Sequence, residues 1–129
     1  MIALDTSAIA AIALEEREAR VFAELIGSEA CIIGWPTILE CHMVLKSIPF
    51  RRGLDVLDMV LGAPRLRIVA FDRQLFESAR TAFDRFGRGY HKAKLNFGDC
   101  MSYAVAKLHE APLLFKGDDF PLTDIRAAL

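Results

Sequence analysis

Carboxylates stand at four places in this 129-residue chain where the flanking residues are apolar. Asp5 follows directly on Met1-Ile2-Ala3-Leu4, and Asp118 and Asp119 lie together in FKGDDF. Glu40 is the only formal charge between Pro36 and Leu45, in TILECHMVL, and Asp99 is the only one from Phe97 to Ala106. A carboxylate taken out of water is costly unless a cation or hydrogen-bond donors neutralise it. Acids gathered in one place raise one another's proton affinity until a cation settles among them. No Cys/His set at zinc spacing accompanies them, and oxygen-only ligands select a hard ion, Mg²⁺ or Mn²⁺. The chemistry most often run by such a site is phosphoryl transfer, in which the ion lowers the pKa of water and neutralises charge developing on phosphate. Hydrolysis of a phosphodiester is the reaction these residues suggest.

Each acid also has an ordinary use. Asp5 can cap a helix beginning at Thr6, with Thr6 and Ser7 assisting. Asp99 falls three residues after Asn96, the spacing of a capping box. Asp118 and Asp119 have the composition of a turn, and Asp124 reads as the cap of a terminal helix. Glu40 has no such role, because its stretch reads as a helix apolar on all sides and therefore buried. His42 in that stretch is read as a hydrogen-bonded core histidine and left out of the site. Of the last pair, Asp119 is assigned to the pocket. Consecutive side chains of an extended segment point to opposite sides, and Phe120 anchors its immediate neighbour.

Strands are predicted at the short apolar runs Ile2 to Leu4, Cys31 to Ile33, Leu66 to Phe71 and Pro112 to Phe115. Helical spacing recurs between them, at Leu54, Leu57, Val60 and Leu61 and at Leu75, Phe76, Ala79, Phe83 and Phe86. Buried strands joined through helices form a parallel sheet covered on both faces, which predicts a three-layer α/β/α sandwich and a single domain over residues 1–129. Ligands of such sheets bind beyond the carboxyl ends of the strands. Asp5 follows the first predicted strand and Asp118-Asp119 the last.

Composition narrows the classes further. Hydrophobic residues make up 53% of the chain, enough for one core without staples. Sixteen basic and seventeen acidic residues exclude a polycationic tail as the source of any nucleic-acid affinity. A local patch would have to supply it, and RFGRGYHKAKLN offers Arg85, Arg88, His91, Lys92 and Lys94 for phosphates and Tyr90 for an unpaired base. Arg51-Arg52 can add to it; both runs also read as solvated loops. Cys31, Cys41 and Cys100 lack CxxC spacing and are odd in number, as expected of reduced, buried thiols. No basic leader and no apolar run of about 18 residues is present, so a soluble, cytoplasmic protein with no membrane partner is expected.

The opening I-x-L-D-T-S-A, the isolated acid of TILE, the block LNFGDCMSYAVAK and the closing PLLFKGDDFPLTDI together resemble the PIN-domain ribonucleases, specifically the VapC-type toxins of toxin-antitoxin pairs. The resemblance covers nearly the whole chain. It implies a Mg²⁺ or Mn²⁺ site at Asp5, Glu40 and Asp99, with Asp119 as the fourth acid and Asp118 as its alternative. It further implies endoribonuclease activity leaving a 5′-phosphate and a 3′-hydroxyl, with transfer RNA one candidate target. A VapB-like antitoxin and a homodimer are the implied partners. Cys41-His42 departs from the family, where apolar or small residues usually follow the acid. The rival readings are a housekeeping PIN nuclease without an antitoxin, a Mg²⁺-binding receiver or haloacid-type phosphotransfer domain, and a non-catalytic protein-binding module. LDTSA lacks the second Asp of the haloacid type, and the binding module predicts no divalent-ion affinity.

Overall fold

The computed structural model describes residues 1–49 and 52–129. Four strands, β1 (Ile2–Leu4), β2 (Cys31–Gly34), β3 (Leu66–Val69) and β4 (Leu113–Leu114), form one parallel sheet in the order β3-β2-β1-β4. Ile2 pairs with Cys31, and Ala3 with Ile32 on one side and Leu113 on the other. Among the described residues six helices surround it: α1 (Thr6–Ala13), α2 (Ala19–Ser28), α3 (Trp35–Lys46), α4 (Gly53–Leu61), α5 (Arg73–Phe86) and α6 (Phe97–Leu108).

Strand side chains alternate between the two faces, and here the alternation sorts the core in two. Ala3, Ile32 and Leu113 pack with α5 and α6, through Leu75, Ala79, Phe86, Tyr103 and Ala104. Ile2, Leu4, Cys31, Ile33 and Leu114 pack on the other side, with Ile9, Phe22, Ile38, Leu45 and Val60 of α1 to α4. The predicted three-layer sandwich is therefore the observed architecture. All three cysteines are buried and free. No helix among the described residues is long and apolar enough to cross a membrane.

Three expectations are corrected. The third strand ends at Val69 rather than Phe71 and is only half-buried, because as an edge strand it has a neighbour on one side alone. Helix α3 buries Thr37, Ile38, Cys41 and Leu45, yet Trp35, Leu39, His42 and Met43 face solvent, so His42 is not a core histidine. No terminal helix follows Asp124. After a short 3₁₀ turn at Phe120–Leu122 the chain runs along the outer edge of β4, where Leu113 N donates to Arg126 O and Ala128 N to Leu113 O, both at 2.9 Å. Asp124 instead accepts from Tyr103 Oη at 2.6 Å and Lys107 Nζ at 2.7 Å, and pairs with Arg85 at 3.3 Å.

Candidate active site at the carboxyl edge of the sheet

Asp5 occupies the single residue between β1 and α1 and is the N-cap of that helix. Its Oδ2 accepts from Ser7 N at 2.9 Å and from Ser7 Oγ at 2.6 Å. Its Oδ1 is buried and has no hydrogen-bond partner among the described residues. A buried carboxylate oxygen left in that state calls for a cation or another donor. Ser7 Oγ in turn accepts from Lys116 N at 2.9 Å, which ties the end of β1 to the segment leaving β4. The Lys116 ammonium is held by Glu18 at 3.0 Å and also by Glu16.

Glu40 lies in the middle of α3, directly after β2. Thr6 Oγ1 donates to its Oε1, and Cys41 Sγ donates to Thr6 Oγ1 at 3.6 Å. On its other side the carboxylate rests against Gly98 in the first turn of α6. A Cβ built on Gly98 would stand 1.8 Å from Glu40 Oε2, so a larger residue there would push this carboxylate out of its present position. The next residue, Asp99, closes a capping box: Asn96 N donates to Asp99 Oδ2 at 3.0 Å and Asp99 N to Asn96 Oδ1 at 2.9 Å.

Electrostatics couples the acids. Burial, opposed by the hydrogen bond from Asn96 and assisted by the charges of Asp5, Glu40 and Asp119, pushes the Asp99 carboxyl up to about 6. Burial also raises Glu40; the bond from Thr6 works against this and the charge of Asp5 adds to it. The Cys41 thiol, desolvated beside them, is pushed up to about 12 and keeps its proton. Asp119 is solvent-exposed in the turn before Phe120, after Gly117 with φ of 121°, and of the adjacent pair it is the one whose charge raises Asp99. No three His, Cys, Asp or Glu side chains among the described residues already form a closed ligand set. A hard cation fits these acids, since it would give Asp5 Oδ1 a partner and relieve the mutual repulsion.

The PIN domain family profile matches residues 2–125. This chain belongs to the PIN-domain family. Within the family it is similar to "Ribonuclease VapC" of Mycolicibacterium smegmatis, at 38% identity over 125 residues, which cover 96% of this chain and 97% of that one. "Ribonuclease VapC36" of Mycobacterium tuberculosis is 37% identical over 124 residues, covering 95% and 89%. Among solved structures, Mycobacterium tuberculosis VapC20, described as a Sarcin-Ricin loop cleaving toxin, superposes with a TM-score of 0.76 at 17% identity, over 97% of this chain and 96% of that one. VapBC2 from Rickettsia felis, bound to a DNA fragment from their promoter, gives 0.69 at 18% identity, over 98% and 97%. At those identities the structures speak for the fold alone. The resemblance carried by the D-T-S opening and the LNFGDC block is borne out as membership of this family.

In this PIN domain, then, Asp5, Glu40 and Asp119 each raise Asp99 and Asp5 also raises Glu40, while Asp124 serves a separate clamp. The ordinary and the chemical readings of two acids turn out to be compatible: Asp5 caps α1 with one oxygen and leaves the other free, and Asp99 caps α6 while keeping a raised proton affinity. The expected basic patch is partly dismantled. Arg85 is spent on Asp124 and lies over the Phe86 ring, and His91 Nδ1 accepts from Ala93 N. Arg88, Tyr90, Lys92 and Lys94 remain exposed. Arg52 pairs with Asp55, and Arg51 lies outside the described residues. Sequence reasoning missed Thr6 as the donor to Glu40, Ser7 as the link to Lys116, and Gly98. The only available signal was two hydroxyls directly behind Asp5.

Proposed function

We propose that this PIN domain is a Mg²⁺- or Mn²⁺-dependent endoribonuclease that hydrolyses RNA phosphodiesters to 5′-phosphate and 3′-hydroxyl ends, and that it acts in the cytoplasm as the toxin of a VapBC-type pair. The observation that carries the proposal is the buried Asp5 Oδ1, without a partner among the described residues, on one of the three carboxylates whose charges raise Asp99. Asp5, Glu40, Asp99 and Asp119 would hold the ion. When bound, it supplies a lowered pKa for water and neutralises charge on the phosphate. Ser7 keeps one oxygen of Asp5 occupied, and the other, without a partner among the described residues, is left for the ion. The capping box keeps Asp99 in place at the start of α6, where the helix dipole favours its charged form. Exposed Arg88, Lys92 and Lys94 hold the phosphate backbone without regard to sequence, and Tyr90 stacks an unpaired base. The names of the relatives and the VapBC complexes among the similar structures support a VapB-like antitoxin as partner, and the chain works as a homodimer.

Asp5→Asn, Glu40→Gln and Asp99→Asn should each abolish RNA cleavage and weaken Mn²⁺ binding while circular dichroism shows an intact fold. Folded variants that cleave at the wild-type rate would sink the assignment. Expression of the wild-type chain alone should arrest growth, and expression of Asp5→Asn should not.

A further inference from the structure

Among the acids, Glu40 poses a positioning problem that Asp5 and Asp99 do not. Those two sit at helix starts, and each is held by backbone N–H groups two or three residues away. Glu40 projects from mid-helix with three side-chain torsions to fix, and the donor that holds it comes from another element, the Thr6 hydroxyl at the start of α1. Thr6 is buried, and its β-branched side chain has restricted rotamers, so the hydroxyl is delivered in a fixed place. A hydroxyl has one proton to give. The Cys41 thiol points at Thr6 Oγ1 from the buried side of α3, at 3.6 Å, and occupies it as an acceptor, which leaves the Thr6 proton directed at Glu40 Oε1. Gly98 closes the opposite side, with no room for a Cβ. The site described so far gives Cys41 no task.

We propose that Thr6 is the positioning residue for Glu40, and that the directional chain from Cys41 S–H through Thr6 O–H to the Glu40 carboxylate sets the affinity of the acid cluster for a divalent ion. The proposal rests on the metal-site reading above. Ligand carboxylates are oriented by such hydrogen-bonded partners, and removing one typically weakens metal binding about 10–100-fold.

The test is Mn²⁺ titration calorimetry on the full chain, with thermal unfolding in EDTA as a folding control. Thr6→Val keeps the shape and removes the hydroxyl; it should weaken Mn²⁺ binding about tenfold or more, and saturating Mn²⁺ should restore RNA cleavage, since every carboxylate is still present. Thr6→Ser keeps the hydroxyl and should bind within a small factor of wild type, and Cys41→Ala should show a smaller loss than Thr6→Val. If Thr6→Val does not fold, Thr6→Ala carries the same test against Thr6→Ser. Wild-type affinity in the hydroxyl-free variant, or equal weakening in Thr6→Ser, would overturn the positioning role and leave the metal site standing. A wild-type chain that takes up no Mn²⁺ would overturn both.

Discussion

Asp99 is the residue on which pH acts most directly. In the ion-free protein burial holds its carboxyl up at about 6, whereas an aspartate in an unfolded chain titrates near 4. The folded state therefore binds this proton more tightly, and linkage makes its contribution to stability fall as pH rises from about 4 to about 6 and stay low above that. Asp99→Asn should accordingly raise the melting temperature in EDTA by about 2–5 °C at pH 7.5 and by much less at pH 5; destabilisation at pH 7.5 would contradict the reading. A second test separates the neighbours in the GDDF turn. In nuclease assays across a Mn²⁺ series, Asp119→Asn should raise the metal requirement and Asp118→Asn should do little, because it is the charge of Asp119 that reaches Asp99. The acids were legible in the sequence because apolar residues flank them. Thr6, Ser7 and Gly98 were not, since their roles exist only through contacts with distant parts of the chain: Thr6 meets Glu40 across 34 positions and Ser7 meets Lys116 across 109.

Elements were easiest to read where local pattern alone determines them. The strands at Ile2–Leu4 and Cys31–Gly34 and the helices α4 and α5 follow from short apolar runs and from spacings of three and four. Burial was harder. An all-round apolar stretch such as TILECHMVL reads the same whether its outer face is covered by its own chain or left open, and here it is left open. Asp124 misled for a related reason: a capping residue and an ion-pair partner look alike in sequence, and its three partners come from α5 and α6. Burial pushes the Asp124 carboxyl up, but the Lys107 ammonium and the Tyr103 hydroxyl more than offset this and hold it down at about 2. That clamp fixes the segment running from the GDDF turn to the edge of β4. Tyr103→Phe removes one donor from it and should lower stability by about 1 kcal/mol in urea denaturation, with the fold and the Mn²⁺ affinity retained.

At the scale of the whole molecule, the open face of α3 carries the homodimer prediction. Leu39 and Met43 are 61% and 64% exposed, and Trp35 stands beside them at 55%. A two-fold dimer would bury the same patch on both copies, and a net charge of only -1 opposes their approach very little. Sedimentation of the wild-type chain should therefore give a dimer, and the double variant Leu39→Glu/Met43→Glu should give a folded monomer; an unchanged mass would place the contact elsewhere. The strand order has a consequence in time. β1, the first strand to be synthesised, lies between β2 and β4, and its closing neighbour is the last strand of the chain. More than a hundred residues separate Asp5 from Asp119, and at about 5–20 residues per second a ribosome makes the two roughly 5–20 seconds apart. Throughout that interval the nascent chain has neither its fourth carboxylate nor the Lys116 amide that steadies Ser7. The acid cluster is thus a late assembly, completed only once β4 and the turn after it have been made and the sheet can close on β1.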